Sequence, residues 1–142
     1  SLVIIWCPTA GVNFVVAAFD GASAPTFYAT LVNVDGTPAA TGMVTITQPS
    51  PGNWQLALGA DFVQEMGPGD TEIRLAMDST NAGEQIMADA NSVSPSLGIV
   101  PNASTGAMTF DFSGTNPADF NHIIIWCPTA GVNFGTGPLS GS

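Results

Sequence analysis

The chain has no lysine, one arginine (Arg74) and one histidine (His122) in 142 residues. Against these stand 11 acidic residues, for a net charge of −10. A phosphate-backbone grip needs several basic side chains to displace counterions, so nucleic acid is excluded as a partner. Attraction to an anionic membrane surface is excluded for the same reason. Lysine Schiff-base chemistry and the P-loop lysine are absent by count. Long apolar runs are missing too. The longest, Leu2–Trp6 and Ile123–Trp126, fall far short of the roughly 20 residues of a membrane-spanning helix, so no membrane insertion is expected. The N-terminus lacks the basic stretch of a signal peptide, as in a mature or excised chain. Cys-x-x-Cys, His-Glu-x-x-His and EF-hand spacings do not occur, so zinc and helical calcium sites have no support in the sequence.

Charge of either sign is scarce, at 8% of residues, against roughly a quarter in an average soluble domain. The hydrophobic fraction is 45%, which excludes a disordered chain. The length suits one domain that buries roughly two-thirds of its unfolded surface. A surface built from Ser, Thr, Asn and Gln with few charges is poorly protected against association. The expected partners are copies of the chain or neighbouring structural subunits. The plainer alternative is a low-charge secreted monomer.

The organising feature is an exact internal repeat. Residues 4–14, Ile-Ile-Trp-Cys-Pro-Thr-Ala-Gly-Val-Asn-Phe, recur letter for letter at 124–134. Tandem domains show similarity over the whole unit, whereas here it stops abruptly at both ends. The match marks one unit of an array plus the opening strand of the next. Equally, it marks a strand copied onto the other end, by design or recombination, so that the fold completes itself or its neighbour. Both readings are preferred to an error in one copy. Each copy is an aliphatic run of high β propensity ended by Cys-Pro, followed by a turn at Thr-Ala-Gly. Such an uncharged run is an aggregation hazard at an open edge, so it must be paired. Ile4, Ile5, Trp6, Ile124, Ile125 and Trp126 are therefore the expected assembly strand. Residues 1–134 read as one domain and 135–142 as a flexible Gly/Ser-rich tail.

Between the copies, period-2 alternation predicts strands. Trp54, Leu56 and Leu58 form one apolar face, Ile73, Leu75 and Met77 another, and Met108, Phe110 and Phe112 a third. Phe27–Val34 and Met43–Thr47 are further strands. Turn chemistry punctuates them at Asp20-Gly21, Asp35-Gly36, Pro49–Gly52, Gly67–Asp70 and Ser113–Pro117. Asp61–Met66 reads as one helical turn, Glu84–Ala90 as a short strand or helix, and Asn91–Ser104 as a long loop. No long 3.6-period segment occurs, so the fold class is all-β, an antiparallel sandwich or barrel.

Gly52–Leu58, Ala60–Val63 and Met66–Ile73, with Asp78–Gly83 beyond, together resemble the immunoglobulin-like repeats of bacterial surface adhesins and of phage tail and baseplate proteins. That family has a Gly-x-Trp/Tyr strand, a short Ala-Asp-Leu-like corner and a Gly-Thr-Tyr-x-Val strand ending near Asp-x-x-Gly-Asn. Here Thr71-Glu72 stands where the family places an aromatic. The resemblance covers about 30 residues. It implies an immunoglobulin-like antiparallel β-sandwich used as spacer, scaffold or adhesive module, without enzymatic activity.

The chemistry-bearing residues point the same way. His122 precedes an aliphatic strand, has no Gly-x-Ser-x-Gly partner and reads as a solvent-facing side chain. Asp70, Asp78 and Asn81 are the candidate calcium ligands, because hard calcium takes oxygens from converging turns. Ordinary turn and solubility roles explain each of them equally well. No other cofactor is indicated, and no spacing singles out a carboxylate pair for glycoside hydrolysis. Cys7 and Cys127, each before a proline, form a disulfide, an intermolecular bridge or two buried thiols. Asn102-Ala103-Ser104 fits a glycosylation sequon. Trp6, Trp54 and Trp126 read as core or interface packing before they read as a sugar platform, and Tyr28 is a weaker platform candidate. The expected function is a non-enzymatic, self-assembling module of a surface fibre, array or virion appendage, extracellular or on a cell or virion surface. It assembles by strand exchange of the repeated terminal segment. The alternative is an adhesin- or lectin-like module that binds glycans or a cell-surface partner through its loops.

Overall fold

A computed structural model describes residues 2–7, 12–18, 25–77 and 92–141, the first two stretches by their backbone. The expected turn at Asp20-Gly21, the segment Glu84–Ala90 and the residues Asp78 and Asn81 lie outside them. The described residues form strands and one short 3₁₀ turn at Pro117–Asp119.

In chain order the strands are β1 (Leu2–Cys7), β2 (Val12–Ala18), β3 (Phe27–Asn33), β4 (Ala40–Ser50), β5 (Asn53–Leu58) and β6 (Val63–Gln64). There follow β7 (Thr71–Ala76), β8 (Gly98–Val100), β9 (Met108–Ser113), β10 (His122–Cys127), β11 (Val132–Pro138) and β12 (Ser140–Gly141). β1 and β2 make a two-stranded sheet. The rest make one antiparallel sheet in the order β8-β7-β10-β11-β3-β4-β5-β9, with β12 beside β3 and β6 beside β4. This sheet curls until it is nearly closed into a barrel. The ring of Phe110 on β9, at one end of the order, packs over Gly98 on β8, at the other.

The expected alternation sets the inner face. Phe27, Ala29 and Leu31 of β3, Trp54, Leu56 and Leu58 of β5, and Ile73 and Leu75 of β7 are all buried in one core. Met108, Phe110 and Phe112 of β9 pack against that core while staying half-exposed, as suits a strand at a sheet end. Tyr28 points outward at 49% exposure while Phe27 points in, the consequence of a two-residue period.

Four expectations meet a different outcome. Met77, expected on one apolar face with Ile73 and Leu75, lies past the end of β7 and is exposed. Asp61–Met66 is a turn followed by the two-residue strand β6, and not a helical turn. Phe62 is fully buried there, and Gln64 and Thr41–Ala40 of β4 supply ladder partners that a helical turn would forgo. The stretch expected as a loop at 91–104 contains β8, which pairs with β7 through Thr71↔Val100 to Ile73↔Gly98. The Gly/Ser-rich end, expected as a flexible tail, continues β11 to Pro138 and adds β12. Its glycines serve close packing there, as described next.

Candidate functional site

The repeated segment is a hairpin in both places. β10 pairs with β11 through Ile124↔Thr136, Ile125↔Gly135, Trp126↔Asn133 and Cys127↔Val132, with a bulge between Ile125 and Trp126. β1 pairs with β2 through Ile4↔Val16, Ile5↔Val15, Trp6↔Asn13 and Cys7↔Val12, with the bulge between Ile5 and Trp6. Identical residues thus fix an identical register and an identical irregularity. The turn of the second copy includes Gly131 at φ +67°, a left-handed position that glycine takes without strain.

The surroundings of the two hairpins differ. β10–β11 occupies a slot inside the large sheet, between β7 and β3. β10 pairs with β7 from His122↔Ala76 to Trp126↔Glu72, and β11 pairs with β3 at Gly135↔Asn33 and Thr136↔Val32. Ile123, Ile125, Cys127 and Phe134 enter the main core. On the opposite face Ile124 and Trp126 are buried with Ala76 and Val93. An unbroken apolar run is what a strand covered on both faces requires. Among the described residues, β1–β2, with the same Ile-Ile-Trp-Cys run, pairs with no strand of the large sheet.

Beyond residue 134 the copies diverge, and the slot is shaped for the second. A Cβ at Gly135 would lie within 3.0 Å of the Ala40 carbonyl oxygen, and one at Gly137 within 3.0 Å of the Thr30 carbonyl oxygen. Both obstacles are backbone. The register puts Val15 and Ala17 at these two places in the first copy. Two side-chain oxygens of β11, Asn133 Oδ1 and Thr136 Oγ1, are buried without a hydrogen-bond partner.

The remaining candidates are dispersed. Cys127 is a buried free thiol. Of Cys7, Ile4, Ile5 and Trp6 only the backbone is described. Asp70 Oδ1 accepts a hydrogen bond from the Asn102 amide at 2.8 Å, which fits its turn role. Among the described residues no three His, Cys, Asp or Glu side chains gather to hold a metal. Asp61 accepts from the Met43 amide, Glu65 from the Ala39 amide and Asp111 from the Gln55 side chain, so these carboxylates brace turns and strands. His122 Nδ1 lies 2.7 Å from Asn121 Oδ1 at the start of β10. Arg74 is held by Glu72, with Nη2–Oε2 at 2.6 Å, and donates to the Ser94 carbonyl at 3.0 Å.

Trp54 is buried, stacked on Phe112 and edge-on to Phe27, and Trp126 is buried as well. An open hollow of about 540 Å³ borders Trp54, with Gln48, Thr115, Asn116 and Asp119 on its wall. Asp119 is the one titratable group lining it. The sequon residue Asn102 spends its side chain on Gly67, accepting from its amide and donating to its carbonyl, both at 2.9 Å. A glycan on that nitrogen would break the second of these bonds.

No protein-family model, characterised protein or solved structure matches the chain.

Proposed function

We propose that the protein is a non-enzymatic structural module that assembles by lending a β-hairpin to a neighbouring sheet, in a surface fibre, an array or a virion appendage. The observation that carries this is the pair of hairpins with one register. One is an interior element buried on both faces. The other shares eleven residues with it, 4–14 against 124–134, and among the described residues pairs with no strand of the large sheet. An isolated two-stranded hairpin is marginal in water, and this one is built from residues that demand cover. Extended segments gain such cover by adding to another sheet through main-chain hydrogen bonds. Carboxylates engaged in bracing turns and strands support a structural role. The reading takes the curled sheet as a variant of the immunoglobulin-like sandwich, on the strength of the Gly52–Ile73 resemblance and of the buried Trp54 on β5. It places the module outside the cell or on a particle surface, as the resemblance implies.

The test compares the full chain with one lacking residues 1–18. The full chain should sediment as concentration-dependent multimers. The shortened chain should remain monomeric with its melting temperature preserved. Equal sedimentation of the two would sink the proposal, as would unfolding of the shortened chain.

A further inference from the structure

The two hairpins are identical over residues 4–14 and 124–134 and differ where they meet β3 and β4. This difference bears on how the donated hairpin reaches its acceptor. Along β10 the slot between β7 and β3 would meet a first strand that differs only at its start, with Leu2 and Val3 in place of His122 and Ile123. Val3, Ile4, Ile5 and Trp6 would stand opposite β7 where Ile123 to Trp126 now stand. The second strand decides the matter. At the place of Gly135 the first copy carries Val15, and at the place of Gly137 it carries Ala17. A Cβ at either place falls within 3.0 Å of a backbone oxygen, of Ala40 in one case and Thr30 in the other. Backbone paired into a sheet cannot yield as the end of a flexible side chain does, so the misfit is borne by the ladder itself.

We propose that Gly135 and Gly137 are the selectivity determinants of the slot. They admit the C-terminal hairpin and shut out the N-terminal copy, so that β1–β2 joins the sheet of a second copy of this chain by addition at an edge and not by exchange into the slot. The inference rests on the hairpin-lending reading above. β8 and β9 stand at the two ends of the strand order of the acceptor sheet, and β9 is six residues long, as is β1. The arrangement keeps a chain from filling its own slot with its spare hairpin. It also keeps identical chains from trading hairpins into closed swapped dimers.

Thiol protection reads out which hairpin fills the slot. Cys127 is fully buried while β10 is in place. Trypsin has one potential site, Arg74, so a labelled, denatured and digested sample yields fragments 1–74 and 75–142 with one cysteine each. The protein is treated with N-ethylmaleimide in its native state, dilute and associated, and the fragments are weighed. Cys127 should stay protected in both states of the native chain. The variant V15G/V16T/A17G/A18P makes the hairpins identical from residue 4 to residue 18. There Cys127 should be modified at least about ten times faster, because the second hairpin is displaced in a substantial fraction of molecules. The control V16T/A18P, which leaves Val15 and Ala17 in place, should protect Cys127 as the native chain does. Exposure of Cys127 when the native chain associates would mean exchange and would overturn the inference while leaving hairpin lending intact. Equal protection in the four-residue variant and the native chain would overturn the role of the glycines, whatever the association behaviour. All these variants retain the C-terminal hairpin and its slot, so folding does not depend on the outcome.

Discussion

Thr71 and Gln64 show how much a single buried polar contact can hold in a chain with so little charge. Both are buried, and the Thr71 hydroxyl donates to Gln64 Oε1 at 2.7 Å. The Gln64 side chain also donates to the Pro101 carbonyl at 3.4 Å, so it ties β6, β7 and the loop before β9 together. Thr71→Val keeps the shape and removes the donor, leaving a buried carbonyl oxygen unpaired. The expected cost is about 1–3 kcal/mol of unfolding free energy, read from urea denaturation. A change below about 0.5 kcal/mol would show that water reaches Oε1. Neither residue attracts notice in the sequence, because their partnership spans a turn whose conformation no local pattern reveals.

β7 is an interior strand with β10 on one side and β8 on the other, and Arg74 sits in its middle. Ile73 and Leu75 also accept backbone hydrogen bonds from Leu97 and Ser94. The single trypsin site therefore cannot fit a protease without opening the sheet. Native protein should survive long exposure to trypsin, while denatured protein gives two fragments. Cleavage in the native state should follow the population of opened molecules. Rapid native cutting at Arg74 would show that β7 opens without global unfolding. The terminal hairpins carry the contrasting lesson. Their aliphatic runs and Cys-Pro ends mark them as strands from the sequence, yet which one belongs to the sheet rests on two glycines that composition assigns to a tail.

Across the molecule, 11 carboxylates face one arginine, and that arginine is already paired with Glu72. At pH 7 copies repel one another. Lowering the pH toward 4 protonates carboxylates and removes the repulsion, and among the described residues one ion pair, Arg74–Glu72, is lost in exchange. Acid should therefore strengthen association, and salt at pH 7 should do the same by screening. Sedimentation from pH 8 to pH 4, with sodium chloride or calcium chloride at matched ionic strength, checks this. Calcium acting far below the effective sodium concentration would reveal specific sites at Asp70, Asp78 and Asn81. Strongest association at pH 8 without salt would mean that apolar docking dominates and repulsion does not limit assembly.

Period-2 alternation and turn residues are enough to specify an all-β antiparallel chain, and the placement of Trp54, Leu56, Leu58, Ile73 and Leu75 inside it, because burial of every second residue is a local property of an extended backbone. The paired hairpin of residues 4–14 and 124–134 is likewise local, since the same residues bring the same register and bulge wherever they lie. Tertiary structure alone settled the strand order, the curl that brings Phe110 over Gly98, the short strands β6 and β8, and which of the two hairpins sharing residues 4–14 and 124–134 joins the large sheet. Each depends on contacts between residues far apart in the chain, where a carbonyl at Ala40 or Thr30 decides whether a side chain near the other end has room.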